Sequence, residues 1–285
     1  MKFHAAIVAG ILAVSVSGCA VLRAGNHVTD VFMRESDPVL AAQALPTMMK
    51  AAEALALADP GNEAKALSAA SLHVMYANAF LDSEAFLLPD EKYEEKLLLT
   101  TRAHALYRRA AYELKPFIEA KSPGVFEGKP VTGMKATDAA LLYWTTAAIL
   151  GGFASDPMDF ELATLVAGAV ALFEQARTAD PDWNNGSLHD LAITVYGSLP
   201  SDLGGSKDRA EAAYRRSLEI GKGQSPGPLV SYAQAILVAR EDREAFAETL
   251  GQALAMPVRP ESALMDTLAH RKARKLLDDI DLYFY

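Results

Sequence analysis

From Asp37 onward the chain shows no sustained alternation of apolar and polar residues, the pattern that would mark strands. What recurs is a helical stripe: a small residue, an aromatic four positions later, and another small residue three beyond that. It reads Ala103-Tyr107-Ala110, Ala169-Phe173-Ala176 and Ala210-Tyr214-Ser217, with a weaker copy at Phe246-Leu250-Ala253. Offsets of four and seven put all three residues on one helix face. The small residues let a neighbouring helix approach closely while the ring fills the space between layers. Pro181 and Pro257 follow two of these stripes, where a helix must stop. The spacing matches the second helix of a tetratricopeptide (TPR) hairpin, although the copies are not 34 residues apart. The pattern therefore predicts an all-α fold: an irregular array of TPR-like helical hairpins, an α-solenoid, over residues 36–285.

Two segments account for the irregular period. Lys115 to Asp138 is rich in Pro and Gly and reads as a long connection; Gly197 to Asp208 reads as a shorter one. Such loops either carry function or fill space between hairpins. Ala139 to Ser155 has no charged residue in 17 positions. With two threonines and a glycine pair, it reads as a helix buried on both sides and not as a membrane span.

The N-terminus departs from this pattern. Met1-Lys2-Phe3-His4 precedes an apolar run from Ala5 to Val16, then Val16-Ser17-Gly18-Cys19. That run is too short for a stable span and fits a signal sequence. Small residues ending at a cysteine resemble the lipobox of bacterial lipoproteins, with Val16 where leucine is usual. The resemblance implies a signal peptide over 1–18, lipidation at Cys19, and a tether over 19–35. Two or three acyl chains hold a protein durably to a membrane. Ala20 after the cysteine, by analogy with enterobacterial sorting, points to the inner leaflet of the outer membrane, facing the periplasm.

Composition narrows the partners. The 285 residues are 51% hydrophobic and carry a formal charge of −9. An acidic balance without clustered Lys and Arg argues against nucleic acid. Cys19 is the sole cysteine, so an intramolecular disulfide and a cysteine metal cluster are excluded. His27, His73, His104, His189 and His270 are scattered without a His-x-x-x-His pair, so no zinc site is indicated. Gly124 to Pro130 has the wrong spacing for a phosphate loop, and the sequence contains no Gly-x-Ser-x-Gly elbow. The reading is of a protein that is not an enzyme, with no metal and no cofactor.

Candidate binding residues are aromatics and amides at helix starts: Tyr143 and Trp144, then Trp183, Asn184, Asn185, His189 and Tyr196. Along the second of these helices Leu188, Leu191, Ala192 and Val195 form one stripe. His189, Ile193 and Tyr196 form another. A helix with two such faces either packs on both sides or lines a groove with one; Trp183 and Tyr196 can equally be packing, and His189 a buried polar group. Ser187-Leu188-His189-Asp190 fits a capping box, with Asn184 as a rival cap.

The stretch from Asn184 to Ile220 resembles the T-component family of TRAP (tripartite ATP-independent periplasmic) transporters. The resemblance rests on Asn185-Gly186, His189, Leu199-Pro200 and Leu203-Gly204-Gly205 leading into Ala210 and Tyr214. The Tyr143-Trp144 helix and the C-terminal helix around His270-Arg271-Lys272-Ala273 also resemble family segments. The resemblance implies a periplasmic lipoprotein that associates with the substrate-binding protein of such a transporter. It further implies a homo-oligomer, a trimer, with apolar openings suited to a hydrophobic ligand. A generic outer-membrane scaffold of TPR-like hairpins is the alternative.

Overall fold

The structure, a computed structural model, describes residues 30–284. The expected signal peptide, Cys19 and most of the expected tether lie outside them. Among the described residues every regular element is helical. Helix α1 (Pro38–Leu57) starts at Asp37, whose carboxylate accepts from the amides of Val39 and Leu40. Helix α2 runs α-helical from Glu63–Tyr76, widens to a π turn at Ala77–Asp82, and resumes at Ser83–Leu87. Then follow α3 (Tyr93–Lys121), α4 (Ala139–Ser155), α5 (Val166–Ala179), α6 (Trp183–Ser198) and α7 (Lys207–Ile220). Helix α8 begins at Pro226–Tyr232 and continues through a π turn, Ala233–Leu237; α9 (Arg243–Ala255) and α10 (Ala263–Asp278) complete the array.

The stripes read from sequence form the core. Ala103, Tyr107 and Ala110 are buried, as are Ala169, Phe173 and Ala176, and Phe246, Leu250 and Ala253. Tyr214 is half-buried and stacks on Tyr232 with ring centroids 4.1 Å apart. Helices α5 and α9 stop just before Pro181 and Pro257. The uncharged helix α4 is buried on several faces, with Leu141, Leu142, Thr145, Thr146, Ala148 and Ile149 inaccessible. No described helix is long and apolar enough to cross a membrane.

The expected loop beginning at Lys115 starts later. Helix α3 continues through Pro116 to Lys121. A proline deep in a helix removes one hydrogen bond, yet the buried Leu114 and Ile118 flank it and hold the helix against the core. The rest of the connection is ordered: Val125 and Met134 are buried, and the Ser122 hydroxyl accepts from the Thr132 amide at 3.0 Å. In the shorter connection Leu199-Pro200 leads to a tight turn at Ser201–Leu203. Gly204 has φ +96°, and a Cβ on Gly205 would lie 1.7 Å from the Leu199 carbonyl oxygen. Only two glycines fit that corner.

Even-numbered helices face inward and odd-numbered ones from α3 to α9 pack behind them. Helix α2 packs on α4, α6 on α8, and α8 on α10. Between α4 and α6 the bridge is aromatic, Tyr143 on Trp183 at 5.0 Å. Helix α10 then returns to α1 and to the Ser83–Leu87 end of α2. Leu264 and Leu268 pack there on Ala41, Leu45 and Phe80, and Arg271 donates to both oxygens of Glu84 at 2.7 and 3.2 Å. The array therefore closes into a ring of five inner helices.

Candidate functional site

Several inner helices carry an accessible stripe between buried flanks. On α4 it is Ala140, Tyr143, Ala147 and Leu150; on α8, Ser231, Gln234 and Val238. On α10 it is Met265 and, two turns on, Lys272. One flank of that stripe, Leu264 and Leu268, seals against α1 and α2. The other flank, Ala273 and Leu276, seals against α8 and α9. The stripe between two sealed flanks looks into the ring.

Burial shifts four ionisable groups on the inner helices, of which Tyr143, Asp82 and Lys272 are partly accessible and Asp190 is exposed. Burial pushes the Tyr143 phenol up to about 12, and the Asp190 carboxylate adds to the effect. Asp190 itself is raised by burial, against a hydrogen bond from Ser217. Asp82 is raised to about 6, chiefly by burial, with the Tyr107 hydroxyl and the Lys272 charge opposing. Lys272 is lowered by burial, with Asp82 opposing. Asp190 is near enough to Tyr143, and Lys272 to Asp82, for each charge to act on its neighbour. Tyr107 donates to Asp82 at 2.8 Å. Asp82 and Phe86 also line a crevice of about 470 Å³ that opens where α10 meets α2.

The sequence-predicted residues divide. Tyr143, Trp144 and Trp183 come together: Trp144 meets Tyr143 edge-on at 5.0 Å, and Trp183 tilts against its other side. All three are partly accessible. Asn184 and Asn185 are exposed at the start of α6, with φ of +49° and +55°, followed by Gly186 at +89°. Three successive left-handed residues make a turn that asparagine and glycine tolerate better than other residues. The helix proper starts after them, and the capping box does not form. Asn184 Nδ2 donates to the Ser187 hydroxyl at 2.9 Å, and that hydroxyl donates back to the Asn184 carbonyl at 2.8 Å. Asp190 turns instead to the Ser217 hydroxyl.

His189 and Tyr196 are buried. His189 Nε2 donates to Asp182 at 3.2 Å, Nδ1 is buried without a partner, and burial lowers its pKa, so the ring is neutral. Tyr196 sits among helices α5, α6 and α7. Its hydroxyl donates to Glu174 at 2.7 Å and accepts from Arg177 and Arg209, whose guanidinium lies 3.9 Å above the ring. Both stripes read on α6 are packing faces, and the accessible one is a third: Ser187, Asp190 and Thr194. Asp82 and Lys272 were not among the sequence-predicted site residues, and Asp190 was expected only as a helix cap. Lys272 had a signal, seven residues after Met265 on a face otherwise apolar; Asp82 had none, because a π turn shifts the register.

The profile of the family described as TRAP transporter T-component matches residues 34–284. An uncharacterized protein of Treponema pallidum (strain Nichols) is 30% identical over 268 residues, covering 90% of this chain and 83% of its own length. The matched span takes in every inner helix and the closure of α10 onto α2, and the chain belongs to the TRAP transporter T-component family.

Proposed function

We propose that the protein is a non-enzymatic accessory subunit of a TRAP transport system that holds a slender, largely apolar ligand inside its ring of inner helices. The observation that carries this reading is the ring closed by α10 on α1 and α2, together with the partly accessible apolar stripe Ala140, Tyr143, Ala147 and Leu150 on α4. Helices in contact have axes about 8–10 Å apart, which puts the axes of a closed ring of five roughly 7–8 Å from its centre. Helix radii of about 5–6 Å including side chains leave a bore of only a few ångströms. That width suits one extended alkyl chain and is too narrow for a fused-ring system. Tyr143, Trp144, Ala147 and Leu150 supply an apolar wall.

In this reading Cys19 is lipidated after removal of residues 1–18, and residues 19–35 tether the ring to the inner leaflet of the outer membrane. The ring meets the substrate-binding protein of its transport system in the periplasm, and the chain works as a homo-oligomer, a trimer. Membership of a transporter family supports the system; the lipobox supports the anchor. Metabolic labelling with palmitate tests the anchor: label should enter the wild-type chain and be absent from Cys19→Ala. Crosslinking in intact cells should join the chain to the substrate-binding protein. Crosslinks only to envelope-assembly proteins would favour the scaffold alternative.

A further inference from the structure

Lys272 lies in the middle of α10, between Leu268 and Leu276 on one helix face, and among the described residues its ammonium has no hydrogen-bond acceptor. Among the described residues no carboxylate lies within 4.0 Å of its ammonium, although lysines elsewhere in the fold, Lys50 and Lys275 among them, form such pairs. The adjacent Arg271 and Lys275 are both paired, with Glu84 and Asp279. Its near neighbours are the Phe86 ring, 5.4 Å from the nitrogen, and Asp82. The Asp82 carboxylate accepts from Tyr107 and lies beyond ion-pair distance of the ammonium. A desolvated ammonium costs stability unless an anion compensates it. Leucine or methionine would fill the same place between Leu268 and Leu276 without that cost. A lysine kept there, beside an aromatic ring and without a carboxylate in reach, suits an anion.

We infer that Lys272 binds the anionic head of the ligand, whose chain runs along the apolar wall toward Tyr143. This rests on the proposed interior site and assigns the ligand class, a single-chain amphiphile with a terminal anion. The Phe86 ring face steadies the ammonium, and the seal of Leu268 and Leu276 excludes water from the pair, strengthening it. Asp82 opposes the ligand charge and sets how tightly it is held.

Equilibrium dialysis of the full-length protein against decanoate, 1-decanol and decylamine, equal in chain length, tests the assignment. Decanoate should bind best. Lys272→Met, which keeps the packing, should weaken decanoate binding by about 10-fold or more and leave 1-decanol unchanged. Lys272→Arg should retain the preference, and Asp82→Asn should strengthen decanoate binding. Equal binding of decanoate and 1-decanol to the wild type overturns the role of Lys272 while leaving the interior site standing. An unaltered preference in Lys272→Met, or a preference for decylamine, overturns it likewise. Failure of all three probes to bind overturns both readings.

Discussion

Gly205→Ala is the substitution for which the structure gives the clearest magnitude. The new Cβ would lie 1.7 Å from the Leu199 carbonyl oxygen, 2.6 Å from its carbon and 3.0 Å from the Pro200 oxygen. All three are backbone atoms, so no side chain can swing aside, and the loop must open by more than an ångström. Opening it stretches the bond from the Gly205 amide to the Pro200 carbonyl, now 2.9 Å. It also stretches the bond from the Ser206 amide to the Tyr196 carbonyl, now 2.8 Å. Each lost backbone bond is worth about 0.5–1.5 kcal/mol net, and more where a partner stays buried. The expected loss is thus about 2–4 kcal/mol. Gly223→Ala is the control: its φ is +64° and nothing lies within 4 Å of a new Cβ, so only the left-handed penalty of about 1–2 kcal/mol applies. Urea unfolding followed by circular dichroism measures both. A Gly205→Ala variant no less stable than Gly223→Ala would refute the steric account of the Leu-Gly-Gly corner.

Phe173→Ala should cost about 3–5 kcal/mol by urea unfolding, because a fully buried ring between two alanines leaves a cavity in a close-packed interhelical layer. At the ring closure, Leu268→Ala should cost about 2–3 kcal/mol. Arg271→Ala, in a partly exposed pair with Glu84, should cost no more than about 1 kcal/mol; the reverse order would show an electrostatic closure. Asp82 makes stability fall as pH rises. Its folded pKa of about 6 exceeds the unfolded value, so the folded state holds the extra proton between about pH 4 and 6 and loses that advantage across the window. The difference between wild type and Asp82→Asn should change across that window, by at most about 2–3 kcal/mol since the group keeps some solvent. A flat difference would place Asp82 in bulk water.

The helices and their packing faces were legible because they are local facts. A small-aromatic-small stripe fixes which face of α3, α5 and α7 meets its neighbours, and Pro181 and Pro257 mark the ends. The start of the long connection was not legible, because buried residues on either side of Pro116 outweigh a proline signal read alone. The candidate site was legible in part. Tyr143, Trp144 and Trp183 lie together, whereas His189 and Tyr196 went inward: an amphipathic polar side chain at helical spacing reads the same whether it lines a groove or joins a buried network. Lys272 and Asp82 belong to a place that exists only once α10 meets α2. The residues that join there, Arg271 and Glu84, are 187 positions apart, and no local pattern announces a contact of that range.

The account stands on the ring interior being where a ligand sits. The most direct measurement is photocrosslinking of the full-length protein with a ten-carbon carboxylate carrying a diazirine at its chain end, followed by peptide mapping. The account predicts adducts on the accessible inner stripes, at Tyr143 to Leu150 and at Asp190 or Thr194, displaced by excess decanoate. Adducts confined to exposed outer residues such as Tyr93 and Leu97, or insensitive to decanoate, would contradict it.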